Sequence, residues 1–221
     1  MFLFVWLHED LSGGKLPALL GHSLTSYHLV SEELPSDPSI ISLLFQGEHN
    51  QVITCKNCHY ESVSIEPFTI LSLSLPGSGN CTLEMLLSNN YETGLIDYTC
   101  TSCNKVGKCA RKTVIQRLPP VLVLHLNRFE YNISARKKQN YVDFPLQNLS
   151  LKEHVQNNTN LPLYNLCAVS NHYGTLSGGH YTCYCKPSHE NIWYQCDDKN
   201  VTKLKTSIKS SAAYLLFYVS P

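Results

Sequence analysis

At 221 residues, 43% of them hydrophobic, the chain is long enough to bury a sizeable core as one large domain or two small ones. Its 17 basic and 17 acidic residues cancel, which argues against a surface built mainly for nucleic acid or anionic lipid. No stretch approaches the roughly 20 consecutive apolar residues of a membrane span.

In chain order, residues 2–11 read as a helical end. Their apolar run is too short for a secretory signal and has no basic flank before His8-Glu9-Asp10. Gly13-Gly14, Pro17, Pro35 and Pro38 mark an irregular linker, closed by a short helix predicted over 39–45. From Val52 onward the pattern turns mostly β. Residues 62–75 alternate apolar and polar side chains up to Pro76-Gly77, and 81–87 read as a short helix with Thr82 near its start. Strands are predicted over 113–116 and 121–126, separated by Leu118-Pro119-Pro120; the second is apolar but for His125, as expected of a central strand. Strands over 164–170, 180–186, 192–196 and 212–219 complete a late β region. The cluster Arg136-Lys137-Lys138 reads as a solvated loop tip.

Ten cysteines with no signal sequence point to the cytoplasm or nucleus, where thiols stay reduced and paired cysteines bind metal more often than they form disulfides. The match Asn132-Ile133-Ser134 to a glycosylation acceptor is then chance. Cys55-Lys56-Asn57-Cys58 and Cys100-Thr101-Ser102-Cys103 are two Cys-x-x-Cys pairs, each suited to a turn that presents two thiolates to one ion. Together they make a tetrahedral sulfur cage for Zn²⁺. The gap between them exceeds that of a compact zinc ribbon, so the pairs are expected at the tips of two hairpins. Four buried thiols without metal is the competing reading. A redox pair fits less well, since no βαβ pattern surrounds either; His59 and Cys109 are spare ligand candidates. Four thiolates leave no open coordination position, so the metal's role is expected to be structural.

The second constellation is Ser177-Gly178-Gly179-His180-Tyr181-Thr182, two glycines before a histidine that opens a strand. Glycines here let backbone approach backbone, or let a substrate chain lie close. If this segment forms a hairpin with the one ending at Asp197-Asp198, a carboxylate can face His180, fix its tautomer and leave the other ring nitrogen free to take a proton from a thiol. A lone structural histidine remains the alternative on these residues alone.

The run 166–174 (Leu-Cys-Ala-Val-Ser-Asn-His-Tyr-Gly), then Gly178-Gly179-His180-Tyr181, Trp193 and Asp197-Asp198, closely resembles the histidine box of the ubiquitin-specific cysteine proteases. Residues 118–129, ending His125-Leu126-Asn127-Arg128-Phe129, resemble that family's Leu-Pro…His-Leu-x-Arg-Phe strand. Residues 142–146 and 212–218 match later segments, and the Cys-x-x-Cys pairs fall where the family's fingers bind zinc. The resemblance spans about 45–219. It implies an α+β, β-rich fold: the palm and zinc-binding fingers of a papain-like ubiquitin-specific protease domain, lacking most of the helical thumb. Residues 1–50 would be a thumb remnant and linker, 51–115 the fingers and 116–221 the palm.

By the same resemblance His180 is the general base and acid, Asp197 its orienter, and Asp198 a second orienter or oxyanion helper. Asn171, His172, Gly178, Gly179 and Tyr181 belong to a gate over the C-terminal tail of ubiquitin, the fingers grip its globular body, and Cys55, Cys58, Cys100 and Cys103 hold structural Zn²⁺. His125, Arg128 and Phe129 read as palm scaffold. The implied activity is hydrolysis of the bond after the C-terminal glycine of ubiquitin, with ubiquitin and ubiquitinated proteins as partners and neither nucleic acid nor membrane.

One element of the resemblance is missing. The Gly-x-x-Asn-x-x-Cys box that carries the family's nucleophile, and the Gln-Gln-Asp-x-x-Glu-Phe stretch after it, occur nowhere in the chain. Residues 2–11 resemble the helix that follows that stretch, so the sequence is expected to begin part-way through the domain. Without a thiolate covalent catalysis cannot start, and the chain alone is expected to be inactive. A non-catalytic ubiquitin-binding or scaffold relative is the alternative; retention of His180, Asp197 and the two glycines together favours the enzyme.

Overall fold

The computed structural model describes residues 39–130, 136–156 and 160–221. The expected helix over 2–11, the linker before residue 39 and the Asn132 match lie outside them. The chain divides into two compact units.

The described part of the first unit is 39–69, 93–122 and 155–156. It opens with α1 (Ile40–Phe45), started by Ser39, whose side chain accepts a hydrogen bond from the Ser42 N–H at 3.2 Å and so satisfies one of the free donors of the first turn. Four antiparallel strands follow: β1 (Gly47–Cys55), β2 (Glu61–Phe68), β5 (Gly94–Thr99) and β6 (Val106–Arg117), in sheet order β2-β1-β6-β5. The sheet is thinly covered: β2 has no buried residue, and β1 is buried only at its ends. Near the start of β1, the largely buried Arg117 guanidinium donates to Glu48 Oε1 at 2.8 Å and to the Gln46 carbonyl at 3.0 Å. At the other end a small core of Cys55, Cys100 and Cys109 gathers Ile53, Ile96, Tyr98 and Cys103.

The second unit comprises 70–92, 123–130, 136–154 and 160–221 of the described residues. Its seven-stranded sheet has the order β14-β13-β12-β11-β15-β7-β3. These are β3 (Leu71–Ser74), β7 (Val121–Asn127), β11 (Asn165–Gly174), β12 (Gly179–Cys185), β13 (Tyr194–Asp197), β14 (Asn200–Lys203) and β15 (Ala213–Val219). The short strands β4 (Cys81–Thr82), β8 (Phe129–Glu130), β9 (Arg136–Lys137) and β10 (Val142–Asp143) pair as β4–β10 and β8–β9. Leu71 and Leu73 point inward from β3 while Ser72 and Ser74 point out, the period of two of a half-buried strand. In β7 Leu122, Val123 and Leu124 are all buried, as an interior strand covered on both faces requires. α2 (Leu83–Asn90) packs on β3 through its buried leucines Leu83, Leu86 and Leu87, each stabilising by about 1.5–3 kcal/mol. Thr82 caps it, its hydroxyl accepting from the Met85 N–H at 3.2 Å.

Three expectations change in the structure. The alternating run 62–75 is two strands of different sheets, β2 and β3; a shared period of two carries no information about which sheet a strand joins. The basic cluster is no solvated tip: Arg136 and Lys138 both pair with Glu130, at 2.9 and 2.7 Å, and Lys137 donates to the His172 carbonyl at 2.5 Å. Residues 171–174, beyond the strand predicted over 164–170, are the end of β11. Among the described residues no helix is long and apolar enough to cross a membrane.

Candidate functional site

Two clusters carry chemistry, one in each unit. In the first, the β1–β2 and β5–β6 hairpin tips build the same turn twice. Cys55 N–H donates to the Tyr60 carbonyl at 2.9 Å and the His59 N–H to the Cys55 carbonyl at 3.0 Å. Cys100 N–H donates to the Lys105 carbonyl at 3.1 Å and the Asn104 N–H to the Cys100 carbonyl at 2.8 Å. His59 and Asn104, the residues after each pair, sit at φ 60° and 54°, the left-handed region that closes such a turn.

The turns bring all four sulfurs within 4.8 Å of one another, with Cys55 and Cys103 Sγ 3.9 Å apart and Cys58 and Cys100 Sγ 3.6 Å apart. A tetrahedral zinc with Zn–S bonds of about 2.3 Å needs sulfur–sulfur edges of about 3.8 Å, so the cage fits the ion. The electrostatics divide the set: against the Tyr60 N–H, burial and the neighbouring thiols push Cys58 up to about 11, while two others are drawn the opposite way. Backbone N–H groups of Cys58 and then Asn57 pull the Cys55 thiol down to about 6, and that of Cys103 lowers Cys100, so both favour the thiolate that a metal binds. Cys109 lies opposite Cys55 in the β1–β6 register, and burial pushes its thiol up. Neither it nor His59 belongs to the four-sulfur group.

In the second unit the β11–β12 hairpin carries His180. Its turn closes through the Thr175 N–H on the Gly178 carbonyl at 2.9 Å. Across the register Tyr173 faces His180, and Gly174 faces Gly179. The glycines have different jobs. A Cβ on Gly179 would collide with the His172 ring and the Tyr173 carbonyl, whereas nothing lies within 4 Å of one on Gly178. Gly179 is therefore required by a close approach within the protein, and Gly178 leaves open space. β12 pairs with β13, and β13 turns into β14 through Asp198, whose φ of 49° is one that aspartate tolerates. This brings Asp197 Oδ1 to 2.5 Å from His180 Nε2, and Asp198 into the same carboxylate–imidazole group.

Asp197, through its hydrogen bond, raises the His180 pKa above the ordinary value; Asp198 adds to the rise and burial opposes it. Both members of the pair are about half exposed. Nε2 being engaged, Nδ1 is the nitrogen open to exchange a proton.

The remaining predicted site residues divide by burial. Tyr181 is exposed and leans on His172, ring centroids 4.7 Å apart. Asn171 and His172 are buried: Asn171 Oδ1 accepts from Ser210 Oγ at 3.3 Å, and burial lowers the His172 pKa. His172 also meets Phe129 edge-on at 5.3 Å, and His125 meets Tyr214 edge-on at 4.8 Å. Arg128 is wholly buried; its Nε donates to the Ala213 carbonyl at 2.6 Å and its Nη1 to those of Lys138 and Asn140. Sequence reasoning missed the contact of His172 on Gly179, because strand register alone brings them together.

A protein-family model described as ubiquitin carboxyl-terminal hydrolase matches residues 1–218. Ubiquitin carboxyl-terminal hydrolase 2 of Gallus gallus is 42% identical over 190 residues, covering 82% of this chain and 53% of that protein. The chain thus spans about half the length of this curated relative. Among solved structures, the SAGA DUB module of Ubp8, Sgf11, Sus1 and Sgf73 bound to monoubiquitin matches at 31% identity with a TM-score of 0.72, covering 85% of this chain and 44% of the other. The same module bound to ubiquitin aldehyde matches at 27% identity with a TM-score of 0.74, covering 100% of this chain and 48% of the other.

Proposed function

The chain belongs to the ubiquitin carboxyl-terminal hydrolase family, and on that premise we propose that it forms the palm and zinc-binding fingers of a thiol-dependent deubiquitinating peptidase. The reaction is hydrolysis of the bond after the C-terminal glycine of ubiquitin, with ubiquitin and ubiquitinated proteins as partners, in the cytoplasm or nucleus. The observation that carries this reading is the 2.5 Å contact between His180 Nε2 and Asp197 Oδ1. Held from that side, the imidazole presents Nδ1, which takes the proton of a thiol and later gives it to the leaving amine. The raised pKa of His180 keeps that proton on the ring once it has been accepted. Asp198 adds negative charge beside the imidazolium. Gly178, open to solvent, and the exposed ring of Tyr181 offer an extended peptide tail a surface; Asn171, His172 and Gly179 shape it from beneath.

Cys55, Cys58, Cys100 and Cys103 would hold Zn²⁺. Bound there, it cross-links the tips of two hairpins and supplies no open coordination position for chemistry. Proton transfer and substrate binding rest on the other unit's residues.

The nucleophile is the part these residues leave unassigned. Four of the ten cysteines form the sulfur cage, and among the described residues the His180 ring bonds to Asp197 and to no cysteine. The chain by itself is therefore expected to leave ubiquitin–7-amido-4-methylcoumarin uncleaved and a ubiquitin vinyl-sulfone probe unreacted. The same observation favours the second reading, a non-catalytic relative that binds ubiquitin. Incubation with the probe tests that expectation of inactivity: labelling of any of the ten cysteines would overturn it and supply the missing nucleophile. An upstream reading frame carrying an Asn-x-x-Cys box favours the enzyme, and its absence the binding protein.

A further inference from the structure

Six cysteines lie outside the sulfur cage, and two of them face each other beside the His180–Asp197 pair. Cys185 Sγ on β12 is 3.7 Å from Cys196 Sγ on β13, and both residues are partly exposed. Cys196 directly precedes Asp197, and β12 is the strand that His180 opens. Cys183 is the register partner of Cys196, yet its thiol donates instead to the Tyr184 carbonyl at 3.5 Å. The sulfur contact therefore runs along the diagonal, Cys185 to Cys196.

From this geometry we infer that Cys185 and Cys196 form a reversible disulfide when the protein meets a hydroperoxide. The Cys196 thiolate attacks the peroxide's distal oxygen, the O–O bond breaks, and an alcohol or water leaves, giving a sulfenic acid at Cys196. The Cys185 sulfur then displaces that hydroxyl as water, its thiol proton completing the molecule. In sum two thiols and one hydroperoxide give a disulfide, an alcohol and water: the sulfurs lose two electrons and the O–O bond gains them. Burial pushes the thiols of Cys185 and Cys183 up, away from the reactive thiolate, which suits Cys185 to the second step.

Diagonal cross-strand neighbours have Cα atoms about 7–8 Å apart, and a disulfide holds them at about 4.4–6.8 Å. Closing the bond thus draws β12 and β13 along each other. The bond is partly exposed, of the kind that small thiols reduce readily, and it forms at the residue directly before Asp197. Oxidation on one sheet face is thereby coupled to the hairpin that orients the imidazole. The disulfide stands independently of the deubiquitinase reading; only its consequence for catalysis depends on it.

The test uses the full chain loaded with zinc. After hydrogen peroxide, the remaining thiols are capped with N-ethylmaleimide, and the protein is digested and analysed by mass spectrometry without reductant. The expected product is a cross-link joining the Cys185 and Cys196 peptides, 2 Da below their summed thiol masses, which glutathione removes. C183S should keep it; C185S and C196S should each abolish it. A cross-link from Cys196 to Cys183 overturns the assignment. So does capping of both Cys185 and Cys196 as free thiols in a tube where added glutathione has been fully oxidised. The wild-type arm does not depend on any variant folding.

Discussion

The two units hold paired hairpins in place by opposite means. In the first, a four-stranded sheet with little buried surface ends in a cage of four sulfurs, and its tip core is mostly cysteine. In the second, the hairpins that present His180 and Asp197 grow out of a seven-stranded sheet with a dense core, where Leu73, Leu83, Leu124, Leu126 and Leu216 are fully buried. A sheet that cannot bury enough apolar surface needs a cross-link. A sheet that can is free to leave its functional pair half exposed. The difference teaches that the sulfur cage and the His180–Asp197 pair belong to separate stabilising systems.

That contrast breaks most visibly at the cage. Changing Cys100 to Ser is expected to release about one equivalent of zinc, measured by plasma mass spectrometry, since structural zinc carries about 10–16 kcal/mol of apparent binding energy. Amide exchange should quicken across 94–117 and stay unchanged across 164–219; full metal retention sinks the assignment. Next in size is Leu124→Ala, at a fully buried position of β7 paired in register with Leu71. It should cost about 2–5 kcal/mol in urea unfolding of the second unit without loss of zinc, and metal loss there would mean that the two systems are not separate.

Smaller effects sharpen the reading of the second unit. Gly179→Ala forces a methyl into His172 and the Tyr173 carbonyl and should cost about 1–3 kcal/mol. Gly178→Ala, with open space around its Cβ, should stay within about 0.5 kcal/mol; equal losses in thermal melts would refute the division of labour. Smallest in stability is Asp197→Asn. Asp197 raises the His180 pKa in the folded protein, so its contribution is fully present below the unfolded histidine value and fades as pH rises through the folded one. Removing the carboxylate should lower the His180 pKa toward the ordinary 6.5, followed by NMR titration of the imidazole carbon-bound protons. An unmoved titration would show that the pair does not persist in solution.

Much of the architecture was legible in residue order because its signals are local. Thr82 and Ser39 announced the two short helices they cap. The apolar run of β7 announced an interior strand, and two Cys-x-x-Cys turns announced hairpin tips. Other features escaped because they are relations between distant strands. β1 is nine residues of mixed polarity with intermediate burial, so no alternation marked its first half. β5 and β14 likewise lack a buried face. The splitting of 62–75 between two sheets depends on partners, which an alternating pattern does not name.

The sequence by itself determined the chemistry available: four thiols in two Cys-x-x-Cys turns, a histidine after two glycines, and two aspartates one hairpin away. It did so because those choices depend on residue type and short spacing. Only the tertiary structure decided which atoms meet. Register set Asp197 against Nε2 of His180 and left Nδ1 open, put the His172 ring where a Gly179 side chain would stand, and turned Cys185 rather than Cys183 toward Cys196. A shift of one residue in any of those ladders would send every side chain to the other face, and the long-range packing that fixes register is not written in any one segment.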